Sequence, residues 1–198
     1  DAIPPSIVSY EVLSSTQIAF TTSEQLDTSN FSSVSIQLAP SLGQTMLSYL
    51  DMQTIVVDLT SPMVAGTAYT VEINGLSDCI GNTQSTAFTA LIGVGLNPNV
   101  YDLIINEIYA VPDEAVFEDE FVEIYNRTNS LITLDNLYFA DASSSVSLPN
   151  IQIAGNSYAV LIGGTSTGSS PYLNNGVWYI PLSNLPSLNN AGDVISIG

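Results

Sequence analysis

Two β-sandwiches in tandem, with no long helix, is the fold class this sequence predicts. Three observations carry it. Apolar residues come in short runs that alternate, or nearly alternate, with polar ones. Ser, Asn, Gly and Pro break the chain between those runs. No segment sustains the apolar spacing near 3.6 that marks an amphipathic helix. The 198 residues suffice for two domains, each of about a hundred residues, a size that folds independently.

In the first half, Pro4-Pro5 holds the chain extended ahead of the first run. Strand-like runs follow at residues 7–13, 17–22, 34–38, 54–59, 69–73 and 87–92. Residues 34–38 and 69–73 alternate cleanly, which places one face in a core and one in water. Pro62 and Gly66 mark a turn before residue 69. Asp78-Cys79-Ile80-Gly81-Asn82 marks another, since Asp bonds its own backbone and Gly accepts positive φ. Four segments together carry a resemblance: Ile3-Pro4-Pro5-Ser6-Ile7, Phe20-Thr21-Thr22-Ser23-Glu24-Gln25-Leu26-Asp27, Gly66-Thr67-Ala68-Tyr69-Thr70-Val71 and the 78–82 turn. They resemble the bacterial immunoglobulin-like (Big/SbsA-like) repeats of surface proteins. The resemblance covers residues 1–93 and implies an immunoglobulin-like spacer domain.

Gly93, Gly95 and Pro98 then mark a short linker, residues 94–100. The β pattern restarts at 102–108 and continues at 120–126, 131–134, 137–141, 153–161 and 188–197. Ile105-Asn106-Glu107-Ile108, Glu120-Phe121-Val122-Glu123-Ile124-Tyr125-Asn126, Leu148-Pro149, Ala154-Gly155 and Leu188-Asn189-Asn190-Ala191-Gly192-Asp193 occur in that order. This order is similar to the bacterial lamin-tail domain, an immunoglobulin-like sandwich, over residues 101–198. The resemblance implies a further strand beyond the Gly192-Asp193 segment, so this half is expected to be truncated at its C-terminal strand. An open sheet edge there would be a docking site for a strand of another chain. The expected whole is two tandem immunoglobulin-like β-sandwiches.

Nineteen Asp and Glu stand against one basic residue, Arg127, and the net charge is −18. Such a chain repels phosphate backbones and anionic bilayers, which argues against nucleic-acid partners. No stretch is long and apolar enough to insert in a membrane as a helix. Charged residues are only 10% of the chain, against about a quarter in an ordinary soluble protein. With many Ser and Thr, this composition fits an extracellular β protein. The lone cysteine, Cys79, excludes an intrachain disulfide and reads as a buried, inert thiol. Asn30-Phe31-Ser32 and Asn126-Arg127-Thr128 match the N-glycosylation pattern.

The densest acidic segment holds Asp113, Glu114, Glu118, Asp119 and Glu120 between two strand-like runs. It reads first as a solvated loop. The second reading is a Ca²⁺ site with those five carboxylates as ligands, because Ca²⁺ takes six to eight oxygens; the EF-hand spacing is absent. No other cofactor is suggested. In the 120–126 run, Phe121, Glu123 and Tyr125 share one face, and Val122 and Ile124 the other. If Phe121 lies inward, Glu123 is partly buried and needs a partner, with Arg127 or a backbone amide as candidates. Pro171, Tyr172, Trp178 and Tyr179 offer aromatic faces to a glycan, but the sole tryptophan reads first as core packing. Gly163-Gly164-Thr165-Ser166-Thr167-Gly168 lacks the lysine of a phosphate loop and reads as a surface loop.

No histidine and no lysine occur anywhere, which removes most general acid–base pairs at neutral pH. No catalytic residue is therefore assigned and no enzyme is expected. The expected function is a structural or adhesive module of a large secreted or cell-surface bacterial protein, with protein partners or other modules of the same protein. The resemblances imply a Bacteroidetes-like source. The alternatives are an accessory region of a secreted hydrolase, and a calcium- or glycan-binding module.

Overall fold

A computed structural model of the chain describes residues 2–29, 33–110, 120–163, 178–189 and 192–198. Among the described residues the chain is all-β, with sixteen strands and no α-helix. It divides into two compact units, Asp1–Val94 and Gly95–Gly198.

The first unit holds β1 (Ile7–Ser14), β2 (Gln17–Thr22), β3 (Ser35–Ala39), β4 (Gln44–Asp51), β5 (Thr54–Leu59), β6 (Tyr69–Asn74) and β7 (Phe88–Ile92). They form a four-stranded sheet in the order β1-β2-β5-β4 and a three-stranded sheet in the order β3-β6-β7. One core fills the space between them: Ile18 and Phe20 from β2, Ile55 and Val57 from β5, Val71 and Ile73 from β6. β6 alternates as its sequence does, with Tyr69, Val71 and Ile73 buried and Thr70 and Glu72 exposed. The central strands β2 and β5 are instead buried in consecutive runs, Ile18-Ala19-Phe20 and Ile55-Val56-Val57. Tyr10, Phe20 and Phe88 pack with centroids 6.2–6.4 Å apart and tie the two sheets together on the β1–β7 side. β4 has no counterpart in the sequence reading. Its apolar residues stand in adjacent pairs, and two register shifts against β5 break its alternation.

The second unit begins inside the segment read as a linker. Leu96 bridges Ile132 in parallel: its N–H donates to Leu131 O and its carbonyl accepts from Thr133 N–H, both at 2.9 Å. Gly95 lies so close that a Cβ there would meet Thr133 N at 2.6 Å. The strands are β8 (Leu103–Tyr109), β9 (Phe121–Asn126), β10 (Ile132–Thr133), β11 (Tyr138–Ala140), β12 (Ser145–Ser147), β13 (Gln152–Ile153), β14 (Tyr158–Gly163), β15 (Trp178–Leu182) and β16 (Ser196–Ile197). The main sheet runs β15-β14-β9-β8, with smaller sheets β12-β11-β16 and β10-β13. Val122, Ile124, Ala159, Leu161 and Ile180 of the main sheet meet Phe139 and Ile153 of the others, and Leu148 just past β12, in one core.

Three sequence expectations change here. The run 153–161 is two strands, β13 and β14, because Asn156 takes a φ of 56° and turns the chain. β12 was missed because three residues of Ser-Val-Ser carry almost no pattern. β15 was missed because Pro181 reads as a strand breaker; it is tolerated because β15 is an edge strand, joined only to β14 and in parallel.

Candidate functional site

Several polar side chains among the described residues hold turns. Asp78 is 4% exposed. Its Oδ1 accepts from Ile80 N–H at 3.0 Å and Asn82 N–H at 2.8 Å, and its Oδ2 from Asn82 Nδ2 at 2.6 Å. Gly81 takes a φ of 96° at the apex. Burial pushes the Asp78 carboxyl up, but the hydrogen bonds from Asn82, Ile80 and Gly81 outweigh it and hold it below the usual carboxylate range. Three other carboxyls are lowered in the same way. Asp27 is held down first by the Ser29 hydroxyl, and Asp141 by the Ser143 and Ser144 N–H groups. Asp102 is held down first by Asn99 N–H, with the Arg127 guanidinium as the smallest contribution.

Asn126 is the counterpart in the second unit and is fully buried. Its Nδ2 donates to Ser130 O at 2.8 Å, Ala154 O at 2.9 Å and Ile153 O at 3.0 Å. Its Oδ1 accepts from Thr128 N–H and Thr128 Oγ1. The end of β9 is thus bonded to the β13 end of another sheet. The Asn126-Arg127-Thr128 sequon is closed to glycosylation, since its amide nitrogen is buried and committed; the other sequon asparagine, Asn30, lies outside the described residues. Among the described residues no buried side-chain N or O atom lacks a partner.

Of the five proposed calcium ligands, Glu120 alone is described. Its Oε2 accepts from Leu188 N–H at 2.9 Å, which gives it a structural use at the start of β9. Asp113, Glu114, Glu118 and Asp119 lie outside the described residues. No group of three potential metal ligands occurs among the described residues. Glu123 finds neither Arg127 nor a backbone amide: it accepts from Asn106 Nδ2 at 2.7 Å, across the β8–β9 pair.

The outer face of the main sheet carries two stacked aromatic pairs. Tyr125 on β9 stacks on Tyr158 on β14, centroids 4.4 Å apart, and Tyr109 on β8 stacks on Phe121 at 5.0 Å. Phe121, Val160 and Ile162 form a second small cluster on this face. Alternation made the two faces of β9 legible; the pairing of Tyr125 with Tyr158 needed the β9–β14 register.

Trp178 corrects an expectation: at 37% exposed it is a surface residue at the start of β15. Pro171 and Tyr172 lie outside the described residues, as does the loop read from Gly164 on. Cys79 also corrects one. It is exposed, its thiol donating to Leu26 O at 3.4 Å, because the 78–82 turn points its tip to solvent.

Fold and site together define an all-β chain of two compact units whose polar groups clasp turns. No protein-family model matches it, and no curated protein does. Among solved structures it is similar to domains 1–6 of the surface layer protein SbsC, with 16% identity, a TM-score of 0.40 and coverage of 81% of this chain and 32% of that one. The N-terminal part of the bacterial S-layer protein SbsC matches at 17% identity and a TM-score of 0.39, covering 98% of this chain and 44% of that one. L,D-transpeptidase 3 from Mycobacterium tuberculosis, in complex with a faropenem-derived adduct, matches at 13% identity and a TM-score of 0.26, with 90% of each chain covered. The chain therefore spans 32% of the length of the first of these structures.

Proposed function

We propose that this chain is a non-catalytic spacer-and-display segment of a large secreted or cell-surface bacterial protein. One observation carries the reading. Among the described residues, every carboxyl with a displaced pKa, Asp27, Asp78, Asp102 and Asp141, is displaced downward chiefly by donors of its own turn. A general acid at neutral pH needs the opposite displacement. These carboxylates stiffen turns, which is what a spacer under load requires.

Each unit is read as an immunoglobulin-like sandwich, the second as a lamin-tail domain. The motif order supports this, and its parts have structural work: Asn126 ends the Glu-Phe-Val-Glu-Ile-Tyr-Asn segment and bonds the sheets, while Gly155 of the Ala-Gly step sits where a Cβ would meet Asn129 C at 2.4 Å. The test is replacement of residues 1–198 in the full-length protein by an unrelated two-domain β spacer of equal length. Surface display and the activity of the flanking regions are expected to survive. Display that persists while a binding activity disappears would overturn the reading in favour of a ligand-binding module.

A further inference from the structure

Sheet edges are pairing hazards, and this molecule guards most of its own. In the first unit, β1 carries two register shifts and β4 carries two. The β7 edge is met by Tyr10, whose hydroxyl donates to the Leu91 carbonyl at 2.8 Å. In the second unit, β8 is bulged between Ile105 and Glu107, β15 holds Pro181, and β10, β12, β13 and β16 are two or three residues long.

β3 is the exception. It lies at the end of the order β3-β6-β7 and pairs with β6 over five residues, Ser35 to Ala39, without a shift. Every second residue of such an edge turns its N–H and C=O away from its neighbour. Among the described residues, no backbone hydrogen bond beyond the β6 ladder engages Ser35 to Ala39. Beside this edge lies a groove of about 310 Å³ lined by Ile36, Gln37, Leu38, Ser41 and Gly43. The segment from Ser33 to Gly43 carries no charge, inside a chain of net charge −18.

We propose that β3 is a strand-addition site for an extended, cationic peptide segment of a partner protein. The partner strand completes the β3 ladder, and one of its apolar side chains enters the groove. Charge selects the occupant: the field of the chain attracts lysine- or arginine-flanked strands and repels a second copy that carries the same −18. This deepens the display reading and rests on it for the presence of partners. The domain replacement tests that reading, whereas the following experiment tests β3 alone.

The probe is a peptide with an alternating Val–Thr centre and two lysines at each end, added to the 198-residue chain at low salt. Amide exchange within Ser35 to Ala39 is expected to slow about tenfold at saturation, with other edges unchanged. Proline at the centre of the peptide should abolish the effect, because it removes a ladder donor. Glutamate in place of the lysines should weaken binding about tenfold, a difference that shrinks in high salt. Ser41→Trp, which fills the mouth of the groove, should abolish binding while leaving the melting temperature unchanged. Protection that appears elsewhere, or equally with the acidic peptide, would overturn the proposal. So would concentration-dependent dimerisation that protects the same amides without peptide, which would assign the edge to a second copy.

Discussion

Asp78 in the first unit and Asn126 in the second are both buried polar side chains that tie turns to strands, and they face opposite partners. Around Asp78 the unsatisfied groups are N–H donors, so the side chain has to be an acceptor, and a carboxylate brings two oxygens. Around Asn126 they are the carbonyls of Ser130, Ile153 and Ala154, so the side chain has to be a donor. A buried anion survives in the first setting because three hydrogen bonds favour its charged form. In the second setting it would face three oxygens. The two residue types are nearly the same size, and backbone polarity decides between them.

The largest test of that contrast is Asn126→Asp. The new carboxylate would be buried against acceptors, at a cost on the order of 4 kcal/mol, against about 2 kcal/mol for Asn126→Ala. Urea unfolding followed by the fluorescence of Trp178, the only tryptophan, measures it in the right unit. An aspartate variant as stable as the alanine variant would break the comparison.

Gly75→Ala comes next. Gly75 has a φ of 80°, and a Cβ there would lie 2.1 Å from Ser33 O, so backbone must move; the expected cost is about 3 kcal/mol. Gly81 has a φ of 96° but open space around its Cβ position, so Gly81→Ala should cost only about 1 kcal/mol. Denaturation midpoints from amide exchange within the first unit separate strain from collision.

A smaller effect is confined to acid. The folded Asp78 carboxyl lies below its unfolded value. Its contribution is therefore complete above an unfolded pKa of about 3.9 and is lost as the pH falls through the lower folded value. Asp78→Asn should flatten that acid limb in the amide exchange of residues 76–84 and leave the Trp178-reported unit untouched. An acid limb that survives the substitution would assign it to Asp27 instead. The smallest effect belongs to Arg127→Gln. Arg127 is exposed and contributes least among the causes that lower Asp102, so the Trp178-reported midpoint should stay where it is in the unsubstituted protein.

Much of the fold was legible because short apolar runs, alternating or continuous, are local properties. β2, β5, β6 and β9 were readable from their own residues, as was the 78–82 turn from its Asp and Gly. The strands that escaped have no local signature. β4 is bulged at two places, β12 is three residues long, and β15 contains a proline that only its edge position excuses. The outer face of the main sheet was legible only in part. Glu123 and its face followed from period-two alternation, but its bond to Asn106 depends on the β8–β9 register and the bulge beside it.

What the sequence determined by itself, then, was class and charge: an all-β chain of net charge −18, without histidine or lysine, whose short runs cannot make a long helix. What only the tertiary structure decided was which groups meet. Asn126, one of two asparagines in a chance-common sequon pattern, is a buried hub; Cys79 read as buried and is exposed. β3, which alternates as cleanly as β6, became the unguarded edge because of strand order, and strand order is a long-range property that no local pattern encodes.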